Sequence, residues 1–570
     1  MMINKKDIIR LLEKIAIYME LKGDNPFKIS AFRKAAAALE NDERSLTEID
    51  DVTKLAGIGK GTAAVIEEYR ETGQSTVLVE LQEEVPAGLI PLLQLPGLGG
   101  KKIAKLYKEL EITNVDELKA ACENQSVRGL AGFGAKTEEK ILAAIENVGQ
   151  RPERLPISYM LTVAESVEAE LSSMREIEKF SRAGSLRRLR ETIKDLDFII
   201  ATKEAATVKE QLLELPNIKE IIAGGETKVS VVLDGEWDVS VDFRIVTEAE
   251  FASTLHHFTG SKDHNVRMRQ LAKERGEKIS EYGVENNETG EIKTFQSEED
   301  FYHHFGLPWI PPEIREDGTE VERFTEEGSL LDEQQMKGDL HMHTTWSDGA
   351  NSIEEMVEAC RAKGYEYMAI TDHSRYLKVA NGLSIERLLK QNEEIRRLNA
   401  KYDDIEILSG IEMDILPDGT LDYGDELLSE LDFVIASIHS SFSQPRNIIM
   451  DRLKTALSNP HVDLIAHPTG RIIGRRDGYA VDMEMLIQLA KETNTALELN
   501  ANPHRLDLCA EHLRQAQEAG VKVMINTDAH AIEHLNFIEV GVKAGRKGWL
   551  RPETVINTYS KADFLAFLNR

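Results

Sequence analysis

Cysteine is scarce: the 570 residues hold three, Cys122, Cys360 and Cys509, spread through helix-like text. That excludes a disulfide framework and suits a reducing compartment, so a cytoplasmic protein is expected. Long apolar runs are missing as well. None approaches the ~20 residues of a membrane span, and no membrane partner is expected. The opening "MMINKKDIIRLLEKIAIYME" is charged throughout with a helical apolar period, which does not fit a signal peptide. Positive charge is in deficit too, with 69 Lys and Arg against 99 Asp and Glu and a net charge of −30. Taken alone, that balance argues against a nucleic-acid binder. It is a whole-chain average, however, and basic clusters, metal ions and backbone amides can each hold phosphate locally. A chain of this length is too long for one core, so several domains are expected.

What is present falls into three textures. "LAGIGKG" (55–61), "LPGLGGK" (95–101) and "LAGFGAK" (130–136) share the form L-x-G-x-G, and each precedes helical text. Paired glycines, here Gly57 and Gly59, Gly97 and Gly99, Gly132 and Gly134, permit a tight turn. The amides at the start of the following helix then face outward toward a phosphate. A single copy would read as a turn between packed helices. Three copies favour helix-hairpin-helix units that grip a DNA backbone without reading its sequence.

From about residue 156, "DLDFIIAT" and "DVSVDFRIV" alternate as strands do, with helical text between them, which suggests an α+β domain. Asp195 and Asp197 lie two apart on the first of these strands, and Asp242 lies on the second. Crowded carboxylates repel unless cations sit between them. Three on adjacent strands make a cage for two Mg²⁺ ions, which can activate a 3′-hydroxyl and stabilise a leaving pyrophosphate. Upstream, "FSRAGSLRRLRET" offers Gly184 and Ser185 as a backbone and hydroxyl grip, with Arg187, Arg188 and Arg190 as charge for a triphosphate. The Pro-bearing acidic stretch 309–335 has the content of a domain linker.

After residue 338, seven short apolar runs alternate with helical text, suggesting a barrel or a doubly wound sheet. Polar residues end the runs: His341 and His343, His373, Glu412, His439, His467, Glu498 with Asn500, and Asp528 with His530. Catalytic groups of α/β barrels gather at such strand ends. One histidine there is usually a core or capping residue. Six, with carboxylates and without cysteine, suit Zn²⁺, Mn²⁺ or iron in a reactive rather than a structural site.

Residues 1–315 resemble the family X DNA polymerases, similar to DNA polymerase beta. The resemblance rests on "FKISAFRKAAAALE", the Gly184, Ser185, Asp195, Asp197 and Asp242 motif, "GGETK", "HHFTGSKDHNVRMRQLAKERGEKISEYG" and "FGLPWIPPEIRE". It implies a nucleotidyl transferase with fingers, palm and thumb, acting on primer–template or gapped DNA and deoxynucleoside triphosphates with Mg²⁺ or Mn²⁺. It puts Ser185 and Arg188 on the triphosphate, and Asn265 and Arg269 at thumb positions that contact the nucleotide or the template minor groove. Three positions depart from the family. Val65 stands where the lyase nucleophile is a lysine, and valine cannot form a Schiff base; Lys28 and Lys60 lie near it but do not take its place. "TIKD" stands where Ser-Gly is frequent, and His257 replaces a thumb tyrosine that lies against the sugar.

Residues 336–570 resemble the polymerase-and-histidinol-phosphatase (PHP) domain through "HMHTTWSDG", "AITDHS", "GIEMDI", "SIHSSF", "AHPTGR" and "NTDAH". That resemblance implies a distorted (β/α)₇ barrel with three metals, Mn²⁺ or Zn²⁺. The first would take His341, His343, Glu412 and Asp528. The second would take Glu412 as a bridge with His439 and His467, and the third Asp348, His373 and His530. Phosphoester hydrolysis follows, with Arg471 holding a substrate phosphate and Glu498 and Asn500 supporting the ligands.

The expected organisation is an all-α helix-hairpin-helix region (1–88 helical DNA-binding, 89–150 fingers), an α+β nucleotidyltransferase palm (151–245), a thumb (246–315), a linker (316–335) and an α/β PHP barrel (336–570). The expected activity is a monomeric, gap-filling repair polymerase with a 3′→5′ exonuclease or 3′-end processing activity, and abasic-site cleavage as a further implication. The alternatives are a barrel that is a small-molecule phosphatase, or one that only braces the polymerase.

Overall fold

The structure is a computed structural model, and it describes residues 5–41, 49, 51–95, 98–147, 152–325 and 329–568. The chain forms two compact units, Met1–Arg151 and Pro152–Arg570.

The first unit is helical. Its described helices include Lys5–Lys22, Pro26–Asn41, Lys60–Thr72, Gly100–Leu110, Val115–Glu123 and Ala135–Asn147. One cluster of buried side chains runs from Ile8 to Ile145. Val65 is part of it, 5% exposed. Gly57 has φ +109°, and a Cβ there would sit 3.2 Å from the Lys34 carbonyl, so glycine is required by conformation and by space.

In the second unit a five-stranded sheet fills the stretch expected as the palm: β1 (Ile177–Arg182), β2 (Leu196–Thr202), β3 (Ile218–Gly224), β4 (Lys228–Leu233) and β5 (Val239–Val246), in spatial order β1-β2-β5-β4-β3. Only the central pair, β2 and β5, is parallel, and its register sets Asp197 opposite Asp242. Strand β5 alternates buried and half-buried residues along its whole length, the pattern of a sheet with one face in the core.

Helices Glu248–Thr259 and Lys262–Glu274 lead into a three-stranded antiparallel meander spanning 277–293. Here the core is polar as well as aromatic. Glu298, 6% exposed, is held by Arg187 at 2.6 Å and Arg315 at 2.8 Å. The His264 ring lies between Glu320 (2.6 Å) and the Tyr302 hydroxyl (2.8 Å). Glu320 belongs to the stretch expected as a linker. Its described part is packed rather than free: Val321 and Phe324 are buried with the thumb, and Leu331 N–H donates to the Leu550 carbonyl.

The remaining strands are β6 (Gly338–Asp339), β7 (Tyr367–Ile370), β8 (Glu406–Asp414), β9 (Phe433–Ser437), β10 (Leu464–Ile465), β11 (Ala496–Asn500) and β12 (Val523–Asn526). They pair in chain order, all parallel, as one seven-stranded sheet. A parallel bridge between Met342 and Ala529 joins the first strand's end to the last and closes the ring. Strands covered on both faces become continuous apolar runs, and β7, β9 and β12 are buried at every position.

Palm and barrel share one continuous cluster of buried residues. At their junction the Arg471 guanidinium meets the Glu191 carboxylate of the palm at 2.7 and 3.1 Å. Lys547, ending the barrel helix Phe537–Lys547, donates to the Arg188 carbonyl at 3.0 Å and to Glu316 at 2.5 Å. No described helix is long and apolar enough to cross a membrane.

Candidate metal centres of the palm and the barrel

In the palm, Asp195 is exposed just before β2, while Asp197 and Asp242 are half-buried on adjacent strands. Burial, then the charges of Asp195 and Asp242, push the Asp197 carboxyl up to about 7, against the pull of Arg244 and Lys228. Lys228, from "GGETK", lies 2.8 Å from Asp242 Oδ2, and the Ser230 hydroxyl donates to Oδ1 at 2.6 Å. Three converging carboxylates with so little compensating charge fit divalent cations. Gly184 lies against this group. Its φ is +60°, and a Cβ would fall 2.1 Å from Asp197 Oδ2.

Ser185 sits in the short helical turn Gly184–Arg187 that follows. Arg188 Nη1 donates to the Thr259 carbonyl, and its Nε is buried without a partner. Burial holds this guanidinium below its ordinary value. The neighbouring arginines are engaged elsewhere. Arg187 serves Glu298, which is too buried to stay charged without it, and Arg190 pairs with Glu316 at 3.1 Å. On helix Lys262–Glu274, Asn265 donates to the His257 carbonyl at 2.8 Å, and Arg269 is exposed. His257 faces Glu281 at 3.8 Å.

In the helical unit, Gly59 and Gly99 are the N-caps of Lys60–Thr72 and Gly100–Leu110, and Gly134 directly precedes Ala135–Asn147. Gly132 has φ +90°. Gly57, Gly59, Gly99, Gly132 and Gly134 are exposed. Gly97 lies outside the described residues.

The barrel brings its strand-end residues together around Glu412, which is 1% exposed near the end of β8. Glu412 Oε1 faces His467 Nε2 at 3.0 Å and His439 Nε2 at 3.2 Å. Its Oε2 faces His373 Nδ1 at 2.9 Å, His341 Nε2 at 3.4 Å and His343 Nε2 at 3.5 Å. Asp528 Oδ1 lies 3.1 Å from His343 Nε2 and 3.5 Å from His341 Nε2. Asp348 Oδ1 lies 3.5 Å from His530 Nε2 and 3.7 Å from His373 Nε2. Three groups of ligand atoms are close enough to hold an ion. They are His343, Asp348, His373 and His530; His341, His343 and Asp528; and His373, Glu412 and His439. Within them His343 and His373 are each shared by two groups.

His341 Nε2, His373 Nδ1 and Glu412 Oε2 are buried yet make no hydrogen bond of acceptable geometry. Buried ligand atoms that gather without satisfying one another fit a shared cation. The backbone is also unusual there. His467 and Asp528 have φ of +27° and +53°, a region that non-glycine residues rarely adopt and that clusters at functional sites.

Charge within the cage is organised by its carboxylates. Burial opposes a charged His341, but Glu498, Asp528 and Glu412 outweigh it and hold the imidazole well above its usual value. Burial likewise opposes His439 and His530, yet Glu412 with Asp414 raises the first to about 10, and Asp348 with Asp528 raises the second to about 9. His343 goes the other way, to about 3, through burial and its neighbours His530 and His373.

The supporting residues include two that the motif pattern singles out. His341 Nδ1 donates to Glu498 at 2.7 Å, and the Asn500 amide donates to Asp528 at 3.0 Å. A buried carboxylate orienting a ligand histidine fixes its tautomer and raises its basicity. Asp414, 3.2 Å from His439 Nδ1, does the same, although the strand-end pattern does not single it out. Its signal lay in "GIEMDI", where it sits two residues after Glu412 on the same face of β8. Arg471, expected on a substrate phosphate, is engaged by other groups. Glu191 and the Arg505 and Leu506 carbonyls occupy its guanidinium.

Three family descriptions match the chain: a helix-hairpin-helix domain over residues 3–75, the DNA polymerase beta thumb over 254–316, and the PHP domain over 339–502. A Bacillus subtilis protein named DNA polymerase/3′-5′ exonuclease PolX is 66% identical over 567 residues, covering 100% of each chain. The barrel half alone is similar to probable phosphatases. One from Thermoanaerobacter is 31% identical over 231 residues (39% of this chain, 89% of the relative), and one from Clostridium acetobutylicum is 30% identical over 203 (34% and 78%). With identity of that order running from end to end, and with palm carboxylates and barrel cage both in place, the chain belongs to the family X DNA polymerases that carry a C-terminal PHP domain.

Proposed function

We propose that the chain is a DNA polymerase and 3′→5′ exonuclease, with extension carried out in the palm and removal of 3′-terminal nucleotides in the barrel. The observation that carries the reading is the barrel cluster: every strand end delivers a side chain of a kind that could ligate a metal or support a ligand, gathered around Glu412. A barrel kept only as a brace would not need so costly a concentration of buried charge.

Asp195, Asp197 and Asp242 would hold two Mg²⁺ or Mn²⁺ ions, with Ser185 and Arg188 on the triphosphate and Asn265 and Arg269 on nucleotide and template. His341, His343, Asp348, His373, Glu412, His439, His467, Asp528 and His530 would hold three Mn²⁺ or Zn²⁺ ions. Bound there, the metals would neutralise phosphate and lower the pKa of water. The protein's own part is to orient the ligand rings through Glu498 and Asp414, and to fix Asp528 through Asn500. The helix-hairpin-helix glycines would grip the DNA backbone. We take the biological setting to be gap filling in cytoplasmic DNA repair by a monomer, with abasic-site cleavage as a further capacity of the barrel; Val65, a core residue, cannot serve as the family's usual lyase nucleophile.

The test is a primer–template assay with two variants. Asp195→Ala should abolish extension and spare degradation, and His341→Ala should do the reverse. Loss of both activities in either variant, with the fold intact, overturns the two-site reading. The likeness of the barrel to probable phosphatases favours a second reading, a small-molecule phosphatase. Release of phosphate from histidinol phosphate, without release of mononucleotides from a 3′ end, would establish it instead.

A further inference from the structure

Two loops rise beside the cage, one after β10 (466–482) and one after β11 (501–509). They are stitched together: Ile473 N–H donates to the His504 carbonyl at 2.8 Å, and Ile472 bridges Arg476. The pairing crowds Arg475, Arg476, His504 and Arg505. Burial, then Arg475 and Arg505, hold the His504 imidazole below its ordinary value, and Arg505 does the same to Arg476 after burial.

These cations are short of counter-charge in a chain whose net charge is −30. Among the described residues Arg475 and Arg476 make no ion pair. Arg476 instead donates to the Gly470 carbonyl at 2.8 Å and covers the Phe442 ring at 4.2 Å. Arg505 has one carboxylate in range, Asp528 at 3.6 Å, and Asp528 is already committed to His341, His343 and Asn500. The buried Asp507 is spent on the Thr469 and Gly470 amides, and Asp477 lies exposed beside Arg476. Like charges gathered without partners cost free energy unless an anion joins them. Arg471, the arginine expected to meet phosphate, is taken by Glu191.

We infer that Arg475, Arg476 and Arg505 form the seat for the backbone phosphates of a DNA strand whose 3′ end enters the barrel cage, with Arg505 nearest the cleaved linkage. The inference rests on the nuclease reading above. Arg505, which touches a cage ligand, sits closest to the reacting phosphate, while Arg475, further along its loop and exposed, meets a phosphate farther up the strand. Guanidinium forks suit this task because they hold phosphate oxygens in pairs.

The experiment uses the full chain loaded with Mn²⁺ and a 5′-labelled oligodeoxythymidine. Arg475→Gln and Arg505→Gln should each raise KM about tenfold, with kcat much less affected. Each should also lower the slope of log KM against log salt by about 0.7, the value for one single-strand phosphate contact. Arg475→Lys should recover part of the loss, and primer extension, read at the palm, should stay as in the parent. Arg475→Gln decides the matter, because Arg505→Gln also removes a neighbour of Asp528. An unchanged KM and salt slope in Arg475→Gln overturns the inference. So does an equal rise in its KM for p-nitrophenyl phosphate, which would make the rim a seat for a lone phosphate rather than a strand. His341→Ala separates the two levels: if it still degrades DNA, the nuclease reading falls, whatever the arginines do.

Discussion

Gly184→Ala should silence extension at little cost in stability. The new methyl carbon would start 2.1 Å from Asp197 Oδ2 and 3.1 Å from its Cγ. Non-bonded atoms prefer about 3.5 Å, so the carboxylate must retreat by about 1.4 Å. An aspartate side chain turns easily, and the fold should tolerate the move. The backbone adds strain, because an L-residue at φ +60° costs about 1–2 kcal/mol. A shift of that size at a catalytic group can cost about 10²-fold in rate, equivalent to roughly 2.7 kcal/mol of barrier. Single-turnover extension of a primer–template should therefore fall about a hundredfold, while degradation of single-stranded DNA stays as in the parent and the melting temperature drops by only a few degrees. Extension within threefold of the parent would refute the claim that Gly184 keeps the space into which Asp197 is aimed. An equal loss of degradation would refute its locality.

Four further outcomes are expected. Glu498→Gln should weaken the grip on His341 and reduce metal affinity at the barrel about 10–100-fold, read by metal analysis after dialysis against graded chelator. Glu412→Gln removes the carboxylate faced by His373, His439 and His467, so metal content and degradation should fall together while extension persists. His256 and His264 are buried and held well below 6.5, chiefly by burial; the unfolded chain binds the extra protons, so their contribution is present above pH 6.5 and fades as pH falls. The unfolding free energy from urea titrations should then decline below that value by about 1.4 kcal/mol per pH unit for His256, the His264 share being offset by the adjacent Glu320, whose carboxyl burial pushes up to about 7, and His256→Gln should flatten the decline. A double-mutant cycle on Arg471 and Glu191 should return a coupling of about 1 kcal/mol, measured by denaturation; a coupling of zero would make their pairing at the palm–barrel junction incidental.

The sequence makes local chemistry legible and distant pairing illegible. Seven apolar runs ending in His, Glu or Asp foretell both the parallel sheet and the side of it on which the cage forms, because a strand end is a local feature and parallel strands all point one way. The paired aspartates of β2 and the one on β5 are legible for the same reason, though their register is supplied by the sheet. Arg187 and Arg471 show where this stops. Each is an arginine in or beside a motif expected to bind phosphate, and each is drawn away by a carboxylate remote in sequence, Glu298 and Glu191. The stretch 316–325 reads as a linker because it is acidic and Pro-flanked, yet Glu320 is folded in beneath the thumb by His264. Spacing alone does not reveal which buried partner a charge will find.

Lys547 has a consequence for how such a chain can evolve. Its ammonium group ties the carbonyl of Arg188, which directly follows the palm turn Gly184–Arg187, to a helix of the barrel. The barrel is thereby a structural creditor of the polymerase, independent of any ion it binds. A lineage could lose the cage histidines one at a time and forfeit the proposed nuclease, yet deleting the barrel outright would unseat the turn proposed to meet the triphosphate. Inactive but retained barrels are the expected relics of that history, and a free-standing polymerase half would first have to replace what Lys547 supplies.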